Sequence, residues 1–358
     1  MYSIGDLMTR AMQMRSSDIH VAPGTPARIR VDGKMTFVDD EVLSQEDCDR
    51  LNIELVGEKK YKQLYEGIEI DEGATVSGRR CRIHIYLTMH GPALALRVLS
   101  DKIPAIQDLG LPAVVNTFPS LQRGIILVTG ETGAGKSTTL ASILNEINHL
   151  RYQHIITLED PIEYVYHEDR CMISQRQVGK DTMSFAEGLR ASLREDPDVI
   201  LVGEMRDPET IETALTAAET GHLVFGTLHT NSAPETINRV IDVFPEGRQA
   251  QVRMQLSTTI QAVMCQQLLP RATGKGRVAA VEVMIATPAI RNLIRENKTP
   301  QIANAQATDA KLGSITMDNA LIRLAVTKAI TSQVAIESAL DPEYVKKGIM
   351  SNGRMMMT

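Results

Sequence analysis

Between residues 130 and 137 the chain reads Gly-Glu-Thr-Gly-Ala-Gly-Lys-Ser. Glycines at this spacing let successive backbone N–H groups turn inward and approach phosphate oxygens closely. A lysine after the last glycine reaches β- and γ-phosphates, and the hydroxyl that follows it ligates Mg²⁺. The flanks supply the required context. Gly124 to Thr129 is an apolar run of strand length. Beyond the loop, Leu140, Ile143, Leu144 and Ile147 recur at helical spacing, so the loop opens onto a helix whose positive end faces the same anion. Strand, loop and helix in this order imply a site for a nucleoside triphosphate such as ATP with Mg²⁺, held by Gly130, Glu131, Thr132, Gly133, Ala134, Gly135, Lys136, Ser137 and Thr138.

Other residues fit the chemistry that such a site needs. Glu204 follows the apolar stretch Val199 to Val202, at a strand end where P-loop ATPases place an acid beside Mg²⁺ and the attacking water. Gly203 stands where an Asp is usual, so a link from Glu204 to the metal would run through water. Glu163 is the candidate to position or deprotonate water, with Glu159 and Asp160 in support. A plain turn at Asp160-Pro161 would explain Asp160 without any chemistry. His222 and His229 bracket the apolar stretch Leu223 to Leu228 and are candidate phosphate sensors. Arg82 and Arg97, on two expected strands outside the P-loop domain, suit bidentate phosphate contact and neutralisation of transition-state charge.

The elements that must position these groups fall into two parts. Residues 1–100 read as a small α+β domain, with a first helix using Ile4, Leu7, Met8, Ala11 and Met12. Alternating strands and an Asp32-Gly33 hairpin turn follow, with Ser44 capping a second helix. Prolines near both ends mark 101–113 as a linker. From 114 to 358 strands alternate with helices, which implies a mainly parallel sheet covered on both faces. Beyond Pro234 the pattern is mostly helical, with a single expected strand at Val278 to Ile285 and a helical extension over about 286–358.

Composition narrows the class. At 358 residues with 43% hydrophobic content, the chain can build two cores. A formal charge of −6 and no basic, aromatic-rich stretch argue against a nucleic-acid partner, including a translocase role. The four cysteines form no CxxC pair, so they read as reduced cytosolic thiols rather than zinc ligands. No apolar run approaches the ~20 residues of a membrane span, and no signal-peptide pattern is present.

Four stretches together resemble the Walker A, Asp, Walker B and His boxes of the secretion-superfamily ATPases: Gly130 to Ser137, Glu159 to Tyr164, Gly203 to Asp207, and Thr220 through Ser232. Ser17-Asp18-Ile19-His20 and Arg30 to Gly33 are similar to the family's start, and Ala289 to Glu296 matches a motif of its pilus-retraction branch. The resemblance implies a PAS-like N-terminal domain followed by a RecA-like ATPase domain. It implies a homohexamer hydrolysing ATP between subunits. It also implies a cytoplasmic motor, peripheral at the inner membrane beside a pilus platform protein, that depolymerises type IV pili. An assembly or type II secretion ATPase, an accessory retraction paralogue and a nucleotide-gated ring with little turnover remain open alternatives. The apolar members of Ala289–Glu296 read equally well as core, whereas Arg291 and Arg295 fall on its polar face and are the candidates for a partner contact.

Overall fold

The computed structural model describes residues 2–14, 16–31, 34–99 and 102–355. Its contacts separate into two units, Met1–Ile103 with Asp160–Tyr166, and Pro104–Glu159 with His167–Thr358.

The first unit is a six-stranded antiparallel sheet. Its strands are β1 (Asp18–Val21), β2 (Pro26–Val31), β3 (Lys34–Val42), β4 (Ile70–Val76), β5 (Arg79–Thr88) and β6 (Gly91–Val98), in the order β3-β2-β1-β6-β5-β4. Period-two alternation buries Cys81, Ile83 and Ile85 of β5 on one face, and that face packs with Leu7, Met8 and Leu51 of two helices. The same alternation turns Arg82 and His84 to the opposite face. Helix Gln45–Val56 starts where the sequence predicts, with the Ser44 side chain accepting from the Asp47 N–H in a full capping box. The expected Asp32-Gly33 turn lies outside the described residues, while β2 and β3 pair antiparallel up to Val31 opposite Lys34. Strand β4 carries no sequence expectation, because its run Ile70-Asp71-Glu72-Gly73 is acidic and glycine-broken.

The second unit is a mixed α/β layer with a RecA-like P-loop sheet and a helical C-terminal region, as the sequence predicts. Its strands are β7 (Gly124–Thr129), β8 (His154–Glu159), β9 (Met172–Gln177), β10 (Val199–Val202), β11 (Leu223–Leu228), β12 (Ile260–Pro270) and β13 (Arg277–Ile285). They run in the order β13-β12-β7-β11-β10-β8-β9, and only β13 is antiparallel to its neighbour. Every residue of β7, β10 and β11 is buried, the pattern of a parallel sheet covered on both faces. Here the sequence expectation needs correction: β12, eleven residues long, occupies what reads as helix. It follows helix Glu246–Thr259 directly, Ile260 turning to ψ 131° with no glycine or proline to announce the change. Strand β9 is likewise unannounced, its polar Ser174 to Gln177 lying at the sheet edge.

Helix Pro288–Arg295 also corrects an expectation. Ile290 and Ile294 are fully buried, as an apolar stripe requires. Arg291, however, does not present a free polar face. Its guanidinium donates to the carbonyls of Ala286 (3.0 Å), Ser257 (3.0 Å) and Thr258 (2.9 Å), and to Gln261 Oε1 (3.2 Å). Ser257 and Thr258 close helix Glu246–Thr259, so Arg291 is a cation on the unpaired carbonyls and negative dipole end of that helix. Arg295 is exposed. Arg291→Glu is therefore expected to lower the unfolding free energy by about 2–4 kcal/mol, because several charge-assisted bonds are lost at once. Arg295→Glu should change it by less than about 0.5 kcal/mol. Urea titration of both variants checks the contrast.

Candidate functional site

The phosphate-binding pattern sits where β7 ends. Gly130 adopts φ +136°, and a Cβ there would come within 2.3 Å of the Gln266 carbonyl oxygen on neighbouring β12. Only glycine lets the chain pass under that carbonyl. Gln266 also fixes the helix behind the loop, its Nε2 donating to Thr139 Oγ1 at 3.0 Å. Gly135 turns left-handed at φ 93° to start helix Lys136–Leu150, and this N-cap residue makes no side-chain cap bond, so the positive end of the helix is directed at the loop. Lys136 curls over the loop, Nζ donating to the carbonyls of Gly130 (2.6 Å) and Glu131 (3.0 Å). Glu131, Thr132, Gly133 and Ser137 are exposed, and Thr138 is half-buried.

Two neighbouring strand ends bring up further groups. After β10, the Gly203 N–H donates to the Leu158 carbonyl (2.8 Å) and the Met205 N–H to the Thr227 carbonyl (3.0 Å). These bonds pin Glu204 between them. Its side chain is only 17% exposed, pairs with Arg206, and lies with Oε1 3.0 Å from His229 Nε2 at the end of β11. Two candidates far apart in sequence thus meet as one pair.

His222 does not join them. It stands before β11, its carbonyl accepting from the Gly124 N–H at the start of β7, while Leu228 lies opposite Thr129 at the loop end. A strand of six residues spans roughly 20 Å. The two histidines therefore face opposite edges of the sheet, and His222 is no sensor for its own chain's loop. Its Nδ1 instead meets the Ala217 carbonyl at 2.9 Å, closing the preceding helix.

The acidic stretch divides. Glu159 ends β8, its Oε1 accepting from Thr157 Oγ1 (2.7 Å) and Gln175 Nε2 (3.1 Å), a structural engagement. Residues 160–166 group with the N-terminal unit, where Arg80 Nε donates to the Ile162 carbonyl at 3.1 Å. In that unit Arg82 forks onto Asp71 (3.0 and 2.6 Å) and Arg97 donates to Asp18 at 2.8 Å. The Asp71 hydrogen bond raises the pKa of Arg82 above its usual value, and the charges of Glu163 and Asp160 add to this. Burial pushes the Asp18 carboxyl up, but the Ser17 hydroxyl and Arg97 outweigh it and hold it below the usual range.

Sequence reasoning missed Gln266, because β12 was not recognisable. It also missed the cleft of about 550 Å³ beside the loop, lined by Glu131, Gly133, Asn231, Leu268, Arg277 and Leu340 among others. No motif marks Arg277 or Leu340, which the fold alone brings there. Among the described residues no group of three or more His, Cys, Asp or Glu is gathered around a metal position, and no helix is long and apolar enough to cross a membrane.

A P-loop at the carboxyl edge of a mainly parallel sheet, with an acid–histidine pair on adjacent strand ends, defines a RecA-like P-loop protein. The chain belongs to the family described as Type II/IV secretion system protein, whose model matches residues 2–335. It is 45% identical over 341 residues to the type IV pilus retractation ATPase PilT of Pseudomonas aeruginosa, covering 95% of this chain and 99% of that protein. It is 43% identical over 344 residues to a twitching motility protein of Neisseria gonorrhoeae, covering 96% of this chain and 92% of that one. Its fold matches a crystal structure of the pilus retraction motor PilT with bound ADP at a TM-score of 0.91 and 44% identity, covering 97% of this chain and 100% of that one.

Gly130→Ala should lower the unfolding free energy by about 1–3 kcal/mol, since a strained backbone and a close carbonyl act together. Gly133, at φ +82° with open space around its Cβ position, carries only the conformational term. Gly133→Ala should therefore cost about 1–2 kcal/mol. Denaturant unfolding of the pair separates the contact from the backbone.

Proposed function

We propose that the chain is an ATPase motor that powers retraction of type IV pili. The observation that carries the reading is the open P-loop with Lys136 at one strand end and the Glu204–His229 pair at neighbouring ends of the same sheet edge. Full-length similarity to a retraction ATPase and a twitching motility protein supports the biological half.

In the proposed reaction the nucleotide's phosphates lie against the loop N–H groups and the start of helix Lys136–Leu150. Lys136 exchanges its two carbonyl partners for phosphate oxygens. Glu204, oriented by His229, and Glu163 are the carboxylates that position or deprotonate the attacking water. Arg82 and Arg97 leave Asp71 and Asp18 to neutralise developing charge; the Arg82–Asp71 pair is exposed on both sides and weak enough to exchange partners, and the buried Asp18 keeps Ser17 and Arg30 beside it when the exposed Arg97 leaves. The Ser137 hydroxyl and, through water, Glu204 are hard oxygen donors that fit Mg²⁺, which would offset phosphate charge. With few protein donors gathered there, such an ion would be held largely by the phosphates and water.

The working form is taken to be a homohexamer acting on a pilus platform protein at the inner membrane. Its parts are an N-terminal domain (1–100), a linker (101–113) and an ATPase domain (114–358).

Phosphate-release assays test the chemistry. Lys136→Ala should lose most turnover, and Glu204→Gln and Glu163→Gln should keep ATP binding and lose at least ~100-fold in kcat. Expression of the wild-type chain in a strain lacking its own copy should restore twitching and reduce excess pili, and Lys136→Ala should not. A wild-type chain that binds ATP without turnover would point to a nucleotide-gated ring. A deletion strain without pili would point to assembly.

A further inference from the structure

Behind the candidate site lies a carboxyl group that the proposed reaction does not use. Glu282, in the middle of β13, is 2% exposed, and no ion pair to it occurs among the described residues. Its Oε1 accepts two bonds: from Gln306 Nε2 at 3.0 Å and from the Ala233 N–H at 3.3 Å. Its Oε2 and the Gln306 Oε1 are both buried and without a partner. Two buried acceptor oxygens on one contacting pair leave that pair short of one donor.

The two bonds reach two different helices. Gln306 belongs to helix Ile302–Thr308 of the C-terminal region. Ala233 opens helix Ala233–Asp242, directly after the loop that carries His229. That loop is laced to the same helix, with Thr230 Oγ1 2.7 Å from Thr236 Oγ1 and the Asn231 N–H donating to Glu235 Oε2 at 2.9 Å. Any movement of the helix start is thus carried to His229, whose Nε2 lies against Glu204.

We propose that Glu282 is a neutral carboxylic acid that, with Gln306, acts as the positioning pair for the His229 loop and ties it to the C-terminal helices. A proton on Oε2 supplies the missing donor, for which Gln306 Oε1 is the unpartnered acceptor on the contacting residue. The groups around it agree with this state. Burial raises the Glu282 pKa to about 7, against the two hydrogen bonds that favour ionisation, and the charge of Asp318 on helix Met317–Val326 adds to the rise. The Cys265 thiol, opposite Glu282 on β12, is itself pushed well up, chiefly by burial.

The sign of the pH effect follows. A carboxyl whose folded pKa is raised contributes stability in full below its unfolded value near 4.5, and loses it as pH rises through about 7. Glu282→Gln keeps an acceptor for Ala233 and gains an amide donor for Gln306 Oε1, but does not titrate.

The inference rests on the ATPase reading only in its kinetic arm. On the full chain, urea midpoints of wild type and Glu282→Gln measured from pH 5.5 to 8.5 should diverge, the wild type losing stability relative to the variant as pH rises from 5.5 to about 7, with the difference levelling off above that. A constant difference overturns the neutral acid. In phosphate-release assays Glu282→Gln should stay within about threefold of wild-type kcat, whereas Glu282→Leu and Gln306→Leu should lose roughly tenfold or more with KM for ATP nearly unchanged, as expected for a misplaced site that still binds. Unchanged kcat in Gln306→Leu, which keeps Glu282 and its Ala233 bond, overturns the positioning role even where Glu282→Leu fails to fold. A wild type without turnover would instead defeat the ATPase reading, leaving the pH comparison to decide the proton.

Discussion

Parallel strands deliver their carboxyl ends to one edge of a sheet, and the second unit depends on that constraint. Thr129 of β7 lies opposite Leu228 of β11, and Gly226 of β11 opposite Val202 of β10. The residues that follow each strand, Gly130, His229 and Glu204, therefore emerge side by side although long stretches of chain separate them. The same constraint removes His222, which precedes its strand.

Close backbone approach refines this edge. The Gln266 carbonyl occupies the space that a Cβ on Gly130 would need, and the Gln266 amide holds Thr139 behind the loop. One buried residue on β12 thus sets both the path of the loop and the seat of its helix. Beneath them Thr129 Oγ1 donates to the Cys265 thiol at 3.0 Å. Polar groups buried here carry a desolvation cost unless paired, so their bonds select one arrangement of loop and sheet rather than a range.

The arginines of the N-terminal unit show a different balance. Cross-strand register sets Arg82 opposite Arg97, and Arg97 opposite Asp18. Like charges on adjacent strands repel, and Asp71 and Asp18 relieve that repulsion. Their bonds are geometrically good but solvent-exposed at the arginine side, 42% for Arg82 and 67% for Arg97. Such pairs contribute little net energy, so they order the side chains without locking them.

The sequence by itself determined the P-loop, the strand that feeds it and the helix that leaves it, because glycine spacing, an apolar run and helical periodicity are local properties. It also placed Glu204 and His229 at strand ends, since each follows an apolar stretch of strand length. Tertiary structure alone decided what meets what. Strand β12 was illegible because helix Glu246–Thr259 runs into it without a breaker, and with β12 hidden neither Gln266 nor Cys265 could be placed beside the loop. Arg291 looked like a surface charge because periodicity reports which side of a helix is polar, not which carbonyls a neighbouring helix leaves unpaired there. Glu282 is one polar residue in an apolar strand, and only the packing of two helices against it makes it a buried carboxyl with an unsatisfied oxygen. Local pattern encodes the element and its faces, whereas close approach, burial and partner choice arise when distant segments share one volume.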